Sequence, residues 1–248
     1  MNVVIFDTET TSLNKPFSYN IGYVIADDYG NTLLHKDFVI EQIWHNLPLF
    51  NTAYYADKRP IYVNAMRQRV TIMKKFGYVC QEMIRDFKMY NIELAFAYNS
   101  NFDEKVFEFN CDWFKCINPF DNIAIHDIRG FVHNFLVDND YFAFCDKYEL
   151  YTECGHYSTT AEVVYRYLCN NNEFIEDHTA LSDALIETEI LFACVIKGAK
   201  LKENYLTKRS IERKVAKKLH IKSVDKKDYY FDYENIKINK EKTEIVLK

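Results

Sequence analysis

The chain has 248 residues, 48% of them hydrophobic, 27% charged and 16% aromatic, with only 6 glycines and 4 prolines. That composition excludes collagen-like, low-complexity and disordered classes and calls for a dense core, in one large domain or one domain with a small appendix. The net charge of −5 is unevenly placed: from Lys197 onward 16 Lys/Arg stand against 8 Asp/Glu (+8), which leaves 15 against 28 (−13) before it.

In chain order, Asn2 to Thr10 is a short apolar run with acids at alternate positions, the pattern of a strand entering a site. Tyr19 to Ala26 and Thr32 to Ile40 flank Asp27-Asp28-Tyr29-Gly30-Asn31, whose Gly-Asn marks a turn between two strands. Residues 74 to 90 carry Phe76, Val79, Cys80, Met83, Ile84 and Phe87 at helical spacing, and Glu93 to Tyr98 reads as a strand. A helix over Asp103 to Phe114 and a strand over Asn122 to Ile128 follow. Ser158 to Leu168 opens on a Ser-Thr-Thr cluster suited to an N-cap, and Thr179 can cap a helix over Ala180 to Ile196.

After Gly198 the composition turns basic. Tyr205 to Leu219 is a basic helix candidate, and Tyr229 to Lys248 alternates as a hairpin turning near Asn239-Lys240-Glu241-Lys242. Strands first, then helices alternating with single strands, describe a mixed α/β layer fold over 1–197, with 198–248 as a small basic C-terminal α+β appendix. An acidic body repels nucleic acid unless divalent cations intervene, whereas a basic tail can contact phosphates directly or simply be a solvated face.

The longest apolar run, Ile190 to Ile196, is far short of the roughly 20 residues that cross a bilayer. No membrane span is expected. The start Met1-Asn2-Val3-Val4-Ile5-Phe6-Asp7 lacks the basic, apolar pattern of a secretory signal, so a cytoplasmic location is expected. Seven scattered cysteines without a C-x-x-C pair argue against a disulfide framework or a zinc ribbon and for reduced, mostly buried thiols.

Three segments carry candidate chemistry. Successive strand side chains alternate, so Asp7 and Glu9 share a face and lie close enough to share a cation. Asp7 follows Val3-Val4-Ile5-Phe6 at the end of an expected central strand, where open α/β sheets place ligands. Ala97-Tyr98-Asn99-Ser100-Asn101-Phe102-Asp103 passes from a strand end into a helix, and Asp103 there faces a neighbouring strand end or caps the helix. His178-Thr179-Ala180-Leu181-Ser182-Asp183 puts a histidine just ahead of a helix and an aspartate in its first turn or so. Histidine, with a reference pKa of about 6.5, is the natural general base near neutral pH. Taken singly, each segment also reads as ordinary structure. Tyr54-Tyr55-Ala56-Asp57-Lys58-Arg59 mixes aromatic and basic side chains on which bases could stack and phosphates pair. An exposed loop with one tyrosine in the core is an equal reading. His126-Asp127, at the end of a later strand, could support the site from behind, but a core histidine with its hydrogen bonds satisfied is the stronger reading.

In this order and spacing the three segments resemble the three motifs of the DEDDh exonuclease family, over about residues 1 to 197. Phe6-Asp7-Thr8-Glu9-Thr10-Thr11-Ser12-Leu13 matches the first, Asn99 through Phe102-Asp103 the second, and His178-x-Ala180-x-x-Asp183-Ala184 the third. The related subgroup that uses tyrosine has it where Thr179 stands here, so the match is to the histidine subgroup. Ser12 stands where glycine is frequent and Tyr98 where histidine is frequent, departures that touch the fit to a terminal nucleotide rather than the five reactive side chains.

The resemblance implies an RNase H-like mixed five-stranded sheet flanked by helices and a 3′-to-5′ exonuclease that releases nucleoside 5′-monophosphates. It also implies two Mg²⁺ or Mn²⁺ ions held by Asp7, Glu9, Asp103 and Asp183, with His178 as general base. Paired ions about 3.5 to 4 Å apart stabilise both attacking and leaving oxygens, and hard oxygen ligands suit these cations. By the same resemblance Thr10, Thr11 and Leu13 line the pocket of the last nucleotide, with Asn99 and Phe102 beside it. Tyr55, Lys58 and Arg59 are the weaker substrate-contact candidates. The expected partner is nucleic acid, a single-stranded 3′ end first; nucleases of short or cyclic oligonucleotides share the chemistry, and a non-catalytic binding module shares the fold.

Overall fold

The computed structural model describes residues 1–207 and the strand backbone at 236–239 and 244–247. Three strands come first: β1 (Asn2–Thr10), β2 (Ser18–Asp27) and β3 (Thr32–Ile40). Two single turns, α1 (Glu41–Trp44) and α2 (Leu47–Phe50), lead to α3 (Arg59–Arg67), β4 (Thr71–Lys74), α4 (Phe76–Met89), β5 (Leu94–Ala97) and α5 (Asn101–Phe114). Then follow β6 (Ala124–Asp127), α6 (Ile128–Phe135), α7 (Asn139–Tyr148), α8 (Ala161–Cys169), α9 (Ala180–Ile196), β7 (Ile236–Asn239) and β8 (Glu244–Leu247).

The main sheet has the order β4-β3-β2-β1-β5-β6. β2 runs antiparallel to β1 and β3, while β1 pairs β5, β5 pairs β6 and β3 pairs β4 in parallel. This mixed α/β sheet flanked by helices is the layer arrangement expected, with six strands rather than five. The addition is the edge strand β4, four residues just before α4 and too short to display a period in the sequence.

β1 is central because both of its faces are apolar, as a strand covered on two sides requires. Val4 and Phe6 join a core cluster with α4 and α5, and Val3 and Ile5 join a second with α6, α8 and α9. The β2–β3 turn closes as expected: the Asp27 carboxylate accepts the N–H groups of Tyr29 and Asn31, each at 2.9 Å, and Gly30 takes φ +89°.

Several boundaries differ from expectation for local reasons. β6 stops at Asp127 because that carboxylate accepts the Arg129 N–H (3.0 Å) and starts α6. α8 begins at Ala161, capped by Thr160 through the Val163 N–H (3.4 Å). α3, α6 and α7, of 9, 8 and 10 residues, are not legible as helices in the sequence; segments that short offer little periodicity. Packing continues past α9: Ala199 and Leu201 are buried in the second cluster, and the Tyr205 ring meets Phe131 and Phe135 edge-on, each at 4.8 Å. The basic helix expected over Tyr205 to Leu219 falls almost entirely outside the described residues. The hairpin expected after Tyr229 is represented by β7 and β8, antiparallel in the register Ile236↔Leu247 to Asn239↔Glu244. Among the described residues no helix is long and apolar enough to cross a membrane.

Candidate active site

The carboxyl ends of the parallel strands β1, β5 and β6 lie side by side, and α5 and α9 bring further acids to them from opposite faces of the sheet. Asp7 and Glu9 share a face of β1, as their spacing requires. Ligand oxygens of Asp7, Glu9 and Asp183 all lie within 4.8 Å of one another. Asp103, in the first turn of α5, accepts a hydrogen bond from the Thr8 hydroxyl at 2.7 Å. It is thus bound to β1 rather than acting as the helix cap, and its charge acts directly on Asp7 and Glu9.

The approach of α9 depends on two residues of β2. Gly22 is the register partner of Asp7. A Cβ there would stand 2.2 Å from the Leu181 nitrogen and 2.3 Å from the Ala180 carbonyl carbon, so only glycine admits the start of α9 onto the sheet. Thr179 occupies the N-cap but makes no side-chain cap bond. The cap is instead tertiary: Asn20, the register partner of Glu9, accepts the Ala180 N–H at 2.7 Å. Its amide donates to Asp37 (2.6 Å) and to the Phe38 carbonyl (3.0 Å), and Asp37 also accepts the Thr71 hydroxyl.

His178 is held from three sides. Its backbone is left-handed at φ +50°, uncommon for a residue with a Cβ and a frequent mark of functional sites. Its ring stacks on Tyr55, 4.4 Å between centroids at 13°. Its Nδ1 lies 3.6 Å from Glu176 Oε2. Lys58 secures the preceding residue by donating to the Asp177 carbonyl (2.6 Å) while its ammonium sits over the Tyr55 ring (4.7 Å). Glu162, Glu176 and His178 offer ligand atoms within 4.8 Å of one another, and Glu162 is paired with Arg166 at 2.6 Å.

Two further residues belong to the site without being legible in the sequence. Glu187, one turn beyond Asp183, is buried and accepts the Tyr98 N–H at 3.2 Å, tying α9 to the end of β5. The i, i+4 spacing on a helix already carrying Asp183 was the available signal. Glu176, two residues before His178, offered no periodicity because it lies in an irregular segment.

The remaining candidates are distributed unevenly. Thr11 is buried, its N–H donating to the Phe17 carbonyl (3.0 Å); Thr10 is half-buried, and Leu13 projects into solvent with 82% exposure. Asn99, also left-handed at φ +63°, donates its N–H to Asp127 (3.0 Å), and its carbonyl accepts the Phe102 N–H (2.9 Å). The Arg59 guanidinium lies over Trp44 (3.8 Å) and Phe50 (4.7 Å) and donates to the Trp44 carbonyl (3.2 Å), so its charge is committed to local packing. His126 is buried edge-on to Phe96.

So many acids in one pocket resist ionisation. Burial raises Asp7 to about 7; burial and then the Asp7 charge raise Glu9 to about 9 and Asp183 to about 10. Asp103 and Glu187 are raised well above the usual range by burial and then by the same neighbours. Burial, Glu162 and Asp7 lift Glu176 to about 7. His178 moves down, first through burial and then through Lys58, which keeps its imidazole neutral at physiological pH. The donor set is all hard oxygen, and Asp183 Oδ1 is buried without a hydrogen-bond partner among the described residues. A buried cluster of this kind is stable as anions only around cations, and its chemistry fits Mg²⁺ or Mn²⁺.

No family model and no curated protein matches the chain. Solved structures of E. coli Exonuclease I do align. The complex with a dA16 oligonucleotide gives a TM-score of 0.45 at 15% identity over 80% of this chain and 41% of that one. The complex with a dT13 oligonucleotide gives 0.46 at 15% over 79% and 41%. The zinc-bound ssDNA complex gives 0.45 at 13% over 81% and 41%. The chain thus spans about two fifths of the length of these proteins. So distant a likeness adds nothing to what the chain's own residues establish.

Proposed function

We propose that the protein is a metal-dependent 3′-to-5′ exonuclease acting on a single-stranded 3′ end. The observation that carries this reading is the convergence of Asp7, Glu9 and Asp183 within 4.8 Å, with Asp103 bound through Thr8, in the motif order that resembles the DEDDh family. Asp7, Glu9, Asp103 and Asp183 would hold two Mg²⁺ or Mn²⁺ ions. When bound, such ions neutralise the phosphate and lower the pKa of an attacking water.

The protein's own groups do the rest. The Glu176 carboxylate, 3.6 Å from Nδ1, would favour the tautomer protonated there, leaving Nε2 of His178 as the nitrogen that would take the proton of the attacking water. Water oxygen bonds to phosphorus as the bond to the 3′ oxygen breaks, and a nucleoside 5′-monophosphate leaves. Tyr55 limits the ring to one plane by stacking on it, and Glu187 holds the helix that carries Asp183 against the β5 end. By the resemblance, Asn99 and Phe102, at the turn into α5, and Thr10, Thr11 and Leu13, at and just beyond the end of β1, would border the terminal nucleotide.

The test is direct. Purified protein is incubated with 5′-end-labelled single-stranded DNA, duplex DNA and RNA, with Mg²⁺, Mn²⁺ or chelator. Metal-dependent shortening from the 3′ end, fastest on a single strand, is expected. Loss of the 5′ label as mononucleotide, or cleavage that persists in chelator, would overturn the reading.

A further inference from the structure

Away from the carboxylates, at the other end of α5, three cysteines converge. Cys80 comes from α4, Cys111 from the last turns of α5, and Cys116 from just beyond that helix. α5 ends at Lys115 in a left-handed conformation (φ +53°), and the Cys116 N–H returns to the Cys111 carbonyl at 3.1 Å. That closure folds Cys116 back over Cys111. One sulfur of each lies within 4.8 Å of the other two, and the Cys116 and Cys80 sulfurs are 3.9 Å apart.

Two sulfurs bound at 2.3 Å to one tetrahedral zinc stand about 3.8 Å apart, so the spacing is that of thiolates sharing a cation and well beyond the ~2.05 Å of a disulfide. Cys80 and Cys111 are buried and Cys116 is half-buried; Cys111 and Cys116 line a surface groove, with Cys80 behind them. The groove gives a cation an entry path, with its fourth position left to water.

We infer that Cys80, Cys111 and Cys116 form a structural site for one thiophilic divalent cation of the zinc and cadmium class. It would staple α4 to the carboxyl end of α5. Three thiols are the ligands, each losing its proton as the metal binds. The inference is independent of the nuclease reading.

The probe is Cd²⁺, titrated into the reduced full-length chain carrying Cys154→Ser and Cys169→Ser, since both of those thiols are exposed. Sulfur ligation gives an ultraviolet charge-transfer band that carboxylate ligation does not, which separates this site from the acid cluster. The expected result is a band saturating at one Cd²⁺ per chain with a rise in Tm. Cys116→Ser should weaken binding by roughly tenfold or more, while Cys145→Ala, buried in the other core cluster, leaves it unchanged. Cys116 is half-buried, so its variant is expected to fold, which circular dichroism checks. No saturable band, or a band of equal affinity in Cys116→Ser, overturns the inference.

Discussion

His178 combines a left-handed backbone, a stacked ring and a carboxylate on one nitrogen, so changes there separate chemistry from folding. His178→Ala should lower kcat by about 10² to 10⁴, the range for loss of a general base, with little change in Tm. A valine at 178 should cost stability as well, because a β-branched side chain resists positive φ. The downward shift of His178 predicts the acid limb of the rate profile: the base is lost only as pH falls through a value below the usual 6.5. A kcat profile at saturating Mn²⁺ checks this, and a rate that stays level from pH 5 to 8 would remove His178 from the proton transfer. Asp7→Asn should abolish turnover while the fold persists, since relieving buried negative charge does not unfold the cluster.

The element that decides the site is α9. Its first turn carries Asp183, its second Glu187, and its placement depends on β2 rather than on its own cap. Gly22→Ala puts a methyl against backbone at 2.2 Å, and backbone cannot swing aside. A destabilisation of about 1–3 kcal/mol is expected, as for overpacking elsewhere, together with a disproportionate fall in activity because Asp183 retreats from Asp7. Chemical denaturation beside kcat measurement distinguishes this from simple destabilisation, which would leave the rate of the folded fraction intact. Asn20→Ala removes the acceptor of the Ala180 N–H and the donor to Asp37. Leaving buried polar groups unpaired should cost about 1–3 kcal/mol each, read as a drop in Tm.

At the scale of the molecule, the acid cluster sets how stability depends on pH. The raised carboxyls keep protons in the folded state that an unfolded chain with ordinary values near 4 would have released. Over that window the native state binds more protons than the unfolded one, so stability falls as pH rises. The window runs from about 4 through the raised values of about 7, 9 and 10 for Asp7, Glu9 and Asp183. Without divalent cation, Tm should therefore decline from pH 5 to pH 9, and Mn²⁺ should restore most at the alkaline end, where its ligands are most readily freed of protons. A metal-free Tm that climbs over that range would refute the account. The basic tail belongs to the same scale. Deleting residues from 208 onward, which spares the packed Leu201 and Tyr205, should flatten the salt dependence of single-strand binding by about 0.7 in slope for each phosphate that the tail neutralises.

The sequence by itself was enough to determine the alternation of β1 and the helices α4, α5 and α9, and to single out the five candidate side chains. The elements follow from local spacing, whereas the five side chains were singled out by the order of three segments and its resemblance to known motifs. It did not disclose β4 or the short helices α3, α6 and α7, since such segments contain too few repeats to display a period. Nor could it disclose Glu176, Asn20 and Gly22 as parts of one site, because nothing in their spacing encodes which strand lies beside which helix; for Glu187 only its i, i+4 relation to Asp183 was a signal. Only the tertiary structure decided how closely the acids approach, and hence how strongly they hold their protons. Charge repulsion and desolvation act across space, between residues such as Asp7 and Asp183 that are distant along the chain and adjacent in the fold.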